Sequence, residues 1–145
     1  MLERLLSIGT VVLGLGFVIF IHELGHFLLA KWNGVKVKMF ALGFGPALVS
    51  FRKGVGVKFL RSTNAAALKR IDEAEAAGAD PEALGLGETE YSIRAIPLGG
   101  FVWMLGEGEG AEAEEEVTST DPRAYPNKSV GARMAIISAG VLMNL

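Results

Sequence analysis

Residues 5–21 carry no charged side chain, and after a short polar cluster at residues 22–26 the apolar character resumes through Phe27, Leu28, Leu29 and Ala30 to Trp32. About 20 apolar residues in a helix cross a hydrocarbon core of roughly 30 Å. Residues 5–32 can therefore span a membrane, tilted, with their polar residues near one end. The run is too long for the apolar part of a cleaved signal peptide and lacks a small-x-small cleavage site. Composition agrees, since 50% of the residues are hydrophobic and the mean hydropathy is +0.38, more than a soluble domain of this size usually needs.

The formal charge of −2 conceals a strong local asymmetry: residues 31–61 hold seven basic side chains and no acidic one, whereas residues 107–116 hold six Glu and no base. Lys31, Lys36, Lys38, Arg52, Lys53 and Lys58 follow the apolar helix, while Arg4, offset by Glu3, precedes it. Basic flanks stay on the cytoplasmic side, so the N-terminus is expected outside and residues 34–128 on the cytoplasmic side. The chain has no cysteine, which excludes disulfides, thiolate metal sites and a cysteine nucleophile, and leaves His, Asp and Glu as metal ligands.

The polar cluster reads His22-Glu23-Leu24-Gly25-His26, an H-E-x-x-H pattern whose two histidines are four residues apart and so share one helix face. That spacing lets two imidazoles hold one metal, and zinc suits nitrogen ligands while keeping a position for water. Glu23, beside His22, can take a proton from that water as general base and return it to the leaving amine. His22 and His26 are the only histidines in the chain, and an ionisable side chain at the centre of a membrane helix costs about 2.5–3.5 kcal/mol on insertion scales, so such residues usually have a function. Gly25 is expected to leave space beside the metal.

Alternation of apolar and basic residues predicts a strand over 35–42, then a turn at Gly43-Phe44-Gly45-Pro46. Residues 48–51 and 55–60 predict a hairpin around Lys53-Gly54, and residues 91–96 and 101–105 a second strand pair joined by Pro97-Leu98-Gly99-Gly100. These strands are small and apolar, and an exposed edge among them can pair with an extended substrate, which makes residues 43–46 and 97–100 candidates for substrate binding. Residues 64–78 predict a capped, alanine-rich helix, and Asp80-Pro81 the start of a short second one. The acidic run 107–116 reads as a loop without a metal role. Residues 134–145 are apolar again but too few to span, so the chain is expected to stop inside a second membrane helix.

The motifs H-E-L-G-H, G-F-G-P, T-E-Y-S-I-R-A-I-P-L-G-G-F and N-K-S-V-G-A-R-M-A-I-I-S-A-G occur in this order. In residues 1–60 and 88–145 the chain resembles the N-terminal part of bacterial site-2 proteases, closest to the regulator of sigma-E protease group. The resemblance implies a membrane α-helical fold with a small β-region. The parts expected are a first transmembrane helix with the zinc motif (1–33), membrane-associated β-strands on the cytoplasmic side (34–60 and 88–106), a polar helical insertion (61–87), an acidic loop and linker (107–128), and the start of a second transmembrane helix (129–145). It implies a multi-pass enzyme of the bacterial inner membrane that cuts transmembrane segments of signalling proteins such as anti-sigma factors, with His22 and His26 on zinc and Glu23 catalytic. Its partners would be transmembrane substrates and lipid, with neither nucleic acid nor a small-molecule cofactor apart from zinc. The family's third ligand is an Asp in a later membrane helix, so these residues alone are expected to be inactive. Where the family has A-G-P-x-x-N, this chain has Ala139-Gly140-Val141-Leu142-Met143-Asn144, and Asn144 matches by position. The rival reading is a degenerate, non-catalytic member that holds membrane partners on its β-region, a role for which an intact Glu23 would be unnecessary.

Overall fold

The computed structural model describes residues 1–80, 83, 85–107 and 120–145. Helix α1, Leu2–Trp32, is unbroken through Gly9, Gly14, Gly16 and Gly25. Among the described residues it is the one helix long and apolar enough to cross a membrane, with a mean hydropathy of 2.3 over an 18-residue stretch. Its N-terminal half is largely exposed among the described residues, with Leu13 at 76% and Phe17 at 65%. A continuous apolar surface of that kind needs an apolar environment or a partner. The helix closes with Lys31 in its last turn and with the Asn33 side-chain amide donating to the Leu29 carbonyl at 2.8 Å. Gly34, at φ +67°, then turns the chain into the sheet.

The sheet has strands β1 (Val37–Arg52), β2 (Gly56–Phe59) and β3 (Glu90–Met104) in the order β2-β1-β3. The two long strands are bent and interlocked. Residues 39–42 run antiparallel to 100–103, with Ala41 opposite Phe101, and residues 47–51 run antiparallel to 91–94, with Ser50 opposite Ser92. Residues 90–93 also lie beside 39–42, with numbers rising in step. The turns expected at residues 43–46 and 97–100 are thus bends within continuous strands, because pairing persists across them at Phe44 and Ile96. Gly43 and Gly45 have φ +85° and +81°, and a Cβ at Gly43 would stand 2.5 Å from the Ile96 carbonyl oxygen. A side chain is excluded there on both counts. The β1–β2 hairpin around Lys53-Gly54 is as expected, with Val49 opposite Phe59 and Arg52 opposite Gly56.

Helix α2, Asn64–Ala76, matches the expected alanine-rich helix. The short helix expected from Asp80-Pro81 and most of the acidic run lie outside the described residues. A 3₁₀ turn at Tyr125–Asn127 leads into helix α3, Val130–Met143, where the Ser129 hydroxyl accepts from the Ala132 amide at 3.3 Å as an N-cap. With valine at position 141, α3 continues without a break to Met143.

The core lies where the end of α1, the sheet and α3 meet: Ala30, Val35, Val37, Met104 and Ile136 are buried, with Phe27, Leu29, Val102 and Tyr125 packed on them. The Phe40 ring meets those of Phe27 and Phe20 at 5.3 and 6.1 Å between centroids and fixes β1 on α1. A polar clasp holds the other side. Fully buried Glu90 accepts from the Ser62 hydroxyl (2.7 Å) and the Thr63 amide (2.6 Å), while buried Arg52 donates to the carbonyls of Gly87 (3.1 Å) and Glu88 (3.0 Å) and to Asn64 Oδ1 (2.6 Å). Both ends of the segment 61–87 are thereby pinned to the sheet. Removing one member leaves buried donors without an acceptor, so Glu90→Ala is expected to cost about 1–3 kcal/mol and to open α2 to limited proteolysis. Wild-type protease resistance in that variant would show that the clasp does not hold the segment.

Candidate metal centre

His22, Glu23 and His26 occupy successive turns of α1, all half-buried, where the helix crosses α3. The crossing is close because of Gly25. A Cβ there would stand 2.7 Å from the Ala139 carbonyl oxygen and 2.8 Å from Met143 Cγ, so the two backbones nearly touch. The space that Gly25 leaves is therefore taken by α3 rather than kept open beside a metal. The imidazoles themselves lie against Gly140 on the facing helix. A Cβ on Gly140 would lie 2.7 Å from His22 Nε2 and closer still to His26 Nε2. The two Nε2 atoms thus lie together against Gly140, with ring centroids 4.9 Å apart and planes at 76°.

The far sides of both rings are held by α3. His26 Nδ1 stands 2.7 Å from the Ile136 carbonyl, which can only accept, so in the neutral ring the proton is on Nδ1 and Nε2 keeps its lone pair. His22 Nδ1 stands 3.0 Å from the Asn144 carboxamide. Metal-bound histidines characteristically donate the other ring N–H to such an acceptor, as His26 does to the Ile136 carbonyl. Paired Nε2 atoms over a glycine, with anchored Nδ1 atoms, fit a zinc-class ion. Among the described residues no set of three His, Asp or Glu side chains stands together, so the imidazoles form an incomplete donor set.

Glu23 faces the sheet. Its stem lies against Gly100 of β3, where a Cβ would meet Glu23 Cγ and the Ala41 carbonyl oxygen, each at 2.9 Å. Only glycine lets the strand come this close. Between them opens a cleft of about 810 Å³ lined by Glu23, His26, Phe44, Gly100, Phe101, Val102, Trp103, Met104, Glu107, Ile136 and Ile137. Of the eight residues expected to meet substrate, Phe44 and Gly100 line this cleft. Phe44 stacks on Phe101 at 6.2 Å and covers Gly99. Gly43 and Gly45 shape the bend, while Pro46, Pro97 and Leu98 are exposed at the bends' outer sides. Glu107, Ile136 and Gly140 were not expected here. Glu107 is exposed overall, yet desolvation raises its carboxyl above the usual carboxylate range, an effect that His26 opposes.

Two imidazoles one turn apart, with a carboxylate next to the first in sequence and at the edge of a cleft, have the spacing of the H-E-x-x-H pattern. The chain belongs to peptidase family M50, whose model matches residues 10–77 and 81–145, the family to which the ordered motifs point. It is 40% identical over 139 residues to a candidate zinc metalloprotease of Clostridium acetobutylicum, covering 96% of this chain and 29% of that protein. A second such candidate from Synechocystis is 35% identical over 144 residues, covering 99% of this chain and 28% of the relative. The regulator of sigma-E protease of Escherichia coli is 38% identical over 144 residues, or 99% of this chain and 24% of that protein. The chain thus spans less than a third of the length of these relatives.

A side chain at position 140 would collide with both imidazoles and push them from their places. Gly140→Ala is expected to lower zinc affinity by about tenfold or more, the upper part of which matches the loss of an outer-shell partner, with helix content unchanged by circular dichroism. Unaltered affinity would show that the ion does not sit between the rings and α3.

Proposed function

We propose that this chain is the zinc-binding N-terminal part of a membrane endopeptidase that cuts within transmembrane segments of signalling proteins, anti-sigma factors among them. The observation that carries this reading is the convergence of His22 and His26 Nε2 beside Gly140, with Glu23 opening onto the adjoining cleft. Zinc bound there would polarise the scissile carbonyl and bring the pKa of water down to about 7. His22 and His26 supply two ligands, and an Asp from a later membrane helix supplies the third. Glu23 accepts the proton from water and passes it to the leaving nitrogen. Phe44 and Phe101 grip the substrate's apolar side chains, and its backbone lies along β3 in extended form. Extension matters because a helical substrate keeps its carbonyls inside its own hydrogen-bond ladder.

In this reading α1 spans the bacterial inner membrane with its N-terminus outside. Residues 34–60 and 88–106 form the membrane-associated β-region, residues 61–87 a polar insertion, residues 107–128 a linker, and α3 begins a second span. The bare apolar flank of α1 and the basic residues that follow it support that orientation. Exposed Phe59, Ile96 and Leu98 give the sheet an apolar rim suited to the membrane surface.

Glu23→Gln in the full-length protein should retain zinc and lose cleavage by about 10²–10⁴-fold, the usual worth of a positioned acid–base group. Cleavage at the wild-type rate would remove Glu23 from the chemistry.

A further inference from the structure

The two imidazoles are not held alike. The Ile136 carbonyl can only accept, so it places the His26 proton on Nδ1 and frees Nε2. The partner of His22 is a carboxamide, which can either donate or accept. With its nitrogen toward the ring, Asn144 donates to His22 Nδ1, and the neutral ring then carries its proton on Nε2, the nitrogen that points to Gly140. A half-turn of the amide places Oδ1 there instead, with nearly the same shape, and Nδ1–H donates to it. Only the second arrangement leaves lone pairs on both converging Nε2 atoms.

We infer that Asn144 is a positioning residue for His22: its side-chain oxygen accepts from Nδ1–H and holds the ring in the tautomer that can ligate through Nε2. This rests on the metal-centre reading above. The assignment gives α3 a single supporting stripe. Ile136, Gly140 and Asn144 recur every four residues along one face, so one helix orients His26 with its backbone, lets both rings pack on it at a glycine, and orients His22 with a side chain. Asn144 is also the C-cap of α3, at φ −95° and ψ −2°, where the helix ends and its carboxamide can turn toward α1.

The test compares the detergent-purified full-length protein with Asn144→Leu, which removes both donor and acceptor at similar volume, and with Asn144→Asp, which keeps the acceptor. Zinc affinity is read by chelator competition. The ring tautomer is read by nuclear magnetic resonance of metal-free protein labelled with ¹⁵N-histidine, in which His22 and His26 are separated by a His26→Ala control. Asn144→Leu is expected to weaken zinc 10–100-fold, the range found for outer-shell partners, and to shift the His22 proton toward Nε2. Asn144→Asp should retain wild-type affinity and the Nδ1–H tautomer, a rescue that loss of helix packing would not produce. Wild-type affinity in Asn144→Leu, equal losses in Leu and Asp variants, or an Nε2–H tautomer in the unaltered protein would each overturn the assignment while leaving the metal centre in place. Failure of the unaltered protein to take up zinc would overturn both.

Discussion

Everything at the centre depends on how closely α1 and α3 approach each other. Side chains normally hold packed helices 8–10 Å apart, but Gly25 on one helix sets its Cα against the Ala139 carbonyl of the other. At that separation Gly140 lies directly over the histidine pair and the Ile136 carbonyl reaches His26. Small residues are what allow such contact between apolar helices, where lipid supplies no hydrophobic drive to bring them together. A larger residue at position 25 would part the helices, and the imidazoles would lose their anchors before they lost their places on α1.

The sheet solves a related problem on the opposite side of Glu23. An extended strand can reach a helix-borne carboxylate only where it lacks a side chain, and β3 does so at Gly100. The bends at Gly43 and Gly45 turn β1 back so that residues 90–94 of β3 are held between its halves, and Phe40 ties the assembly to α1 through Phe20 and Phe27. The cleft therefore has a helical wall carrying the polar chemistry and a strand wall of aromatic and aliphatic side chains.

Much of this was legible in the sequence because its signals are local. The uncharged run and the four-residue histidine spacing place both imidazoles on one face of a long apolar helix, and the glycine–proline clusters mark where the strands change direction. The interlocking of β1 with β3 was not legible, since pairing between residues 39–42 and 100–103 bridges a long sequence separation that no local pattern encodes. Gly25 looked like room for a metal, but what fills the space beside a glycine depends on the helix that packs against it. The Ile136 contribution is a backbone carbonyl, which no side-chain motif can reveal. Arg52 and Glu90 would read as solvent-facing charges in short strands; only the fold brings residues 62–64 and 87–88 to pair with Arg52 and with one carboxylate oxygen of Glu90.

The central claim is that His22 and His26 together hold one metal ion between α1 and α3. Zinc content per chain, measured on the detergent-purified full-length protein after metal has been supplied, tests it most directly when set beside a His22→Ala/His26→Ala double variant. The account predicts about one zinc per chain for the former and none for the latter. Equal zinc in the two proteins, or none in either, would contradict it.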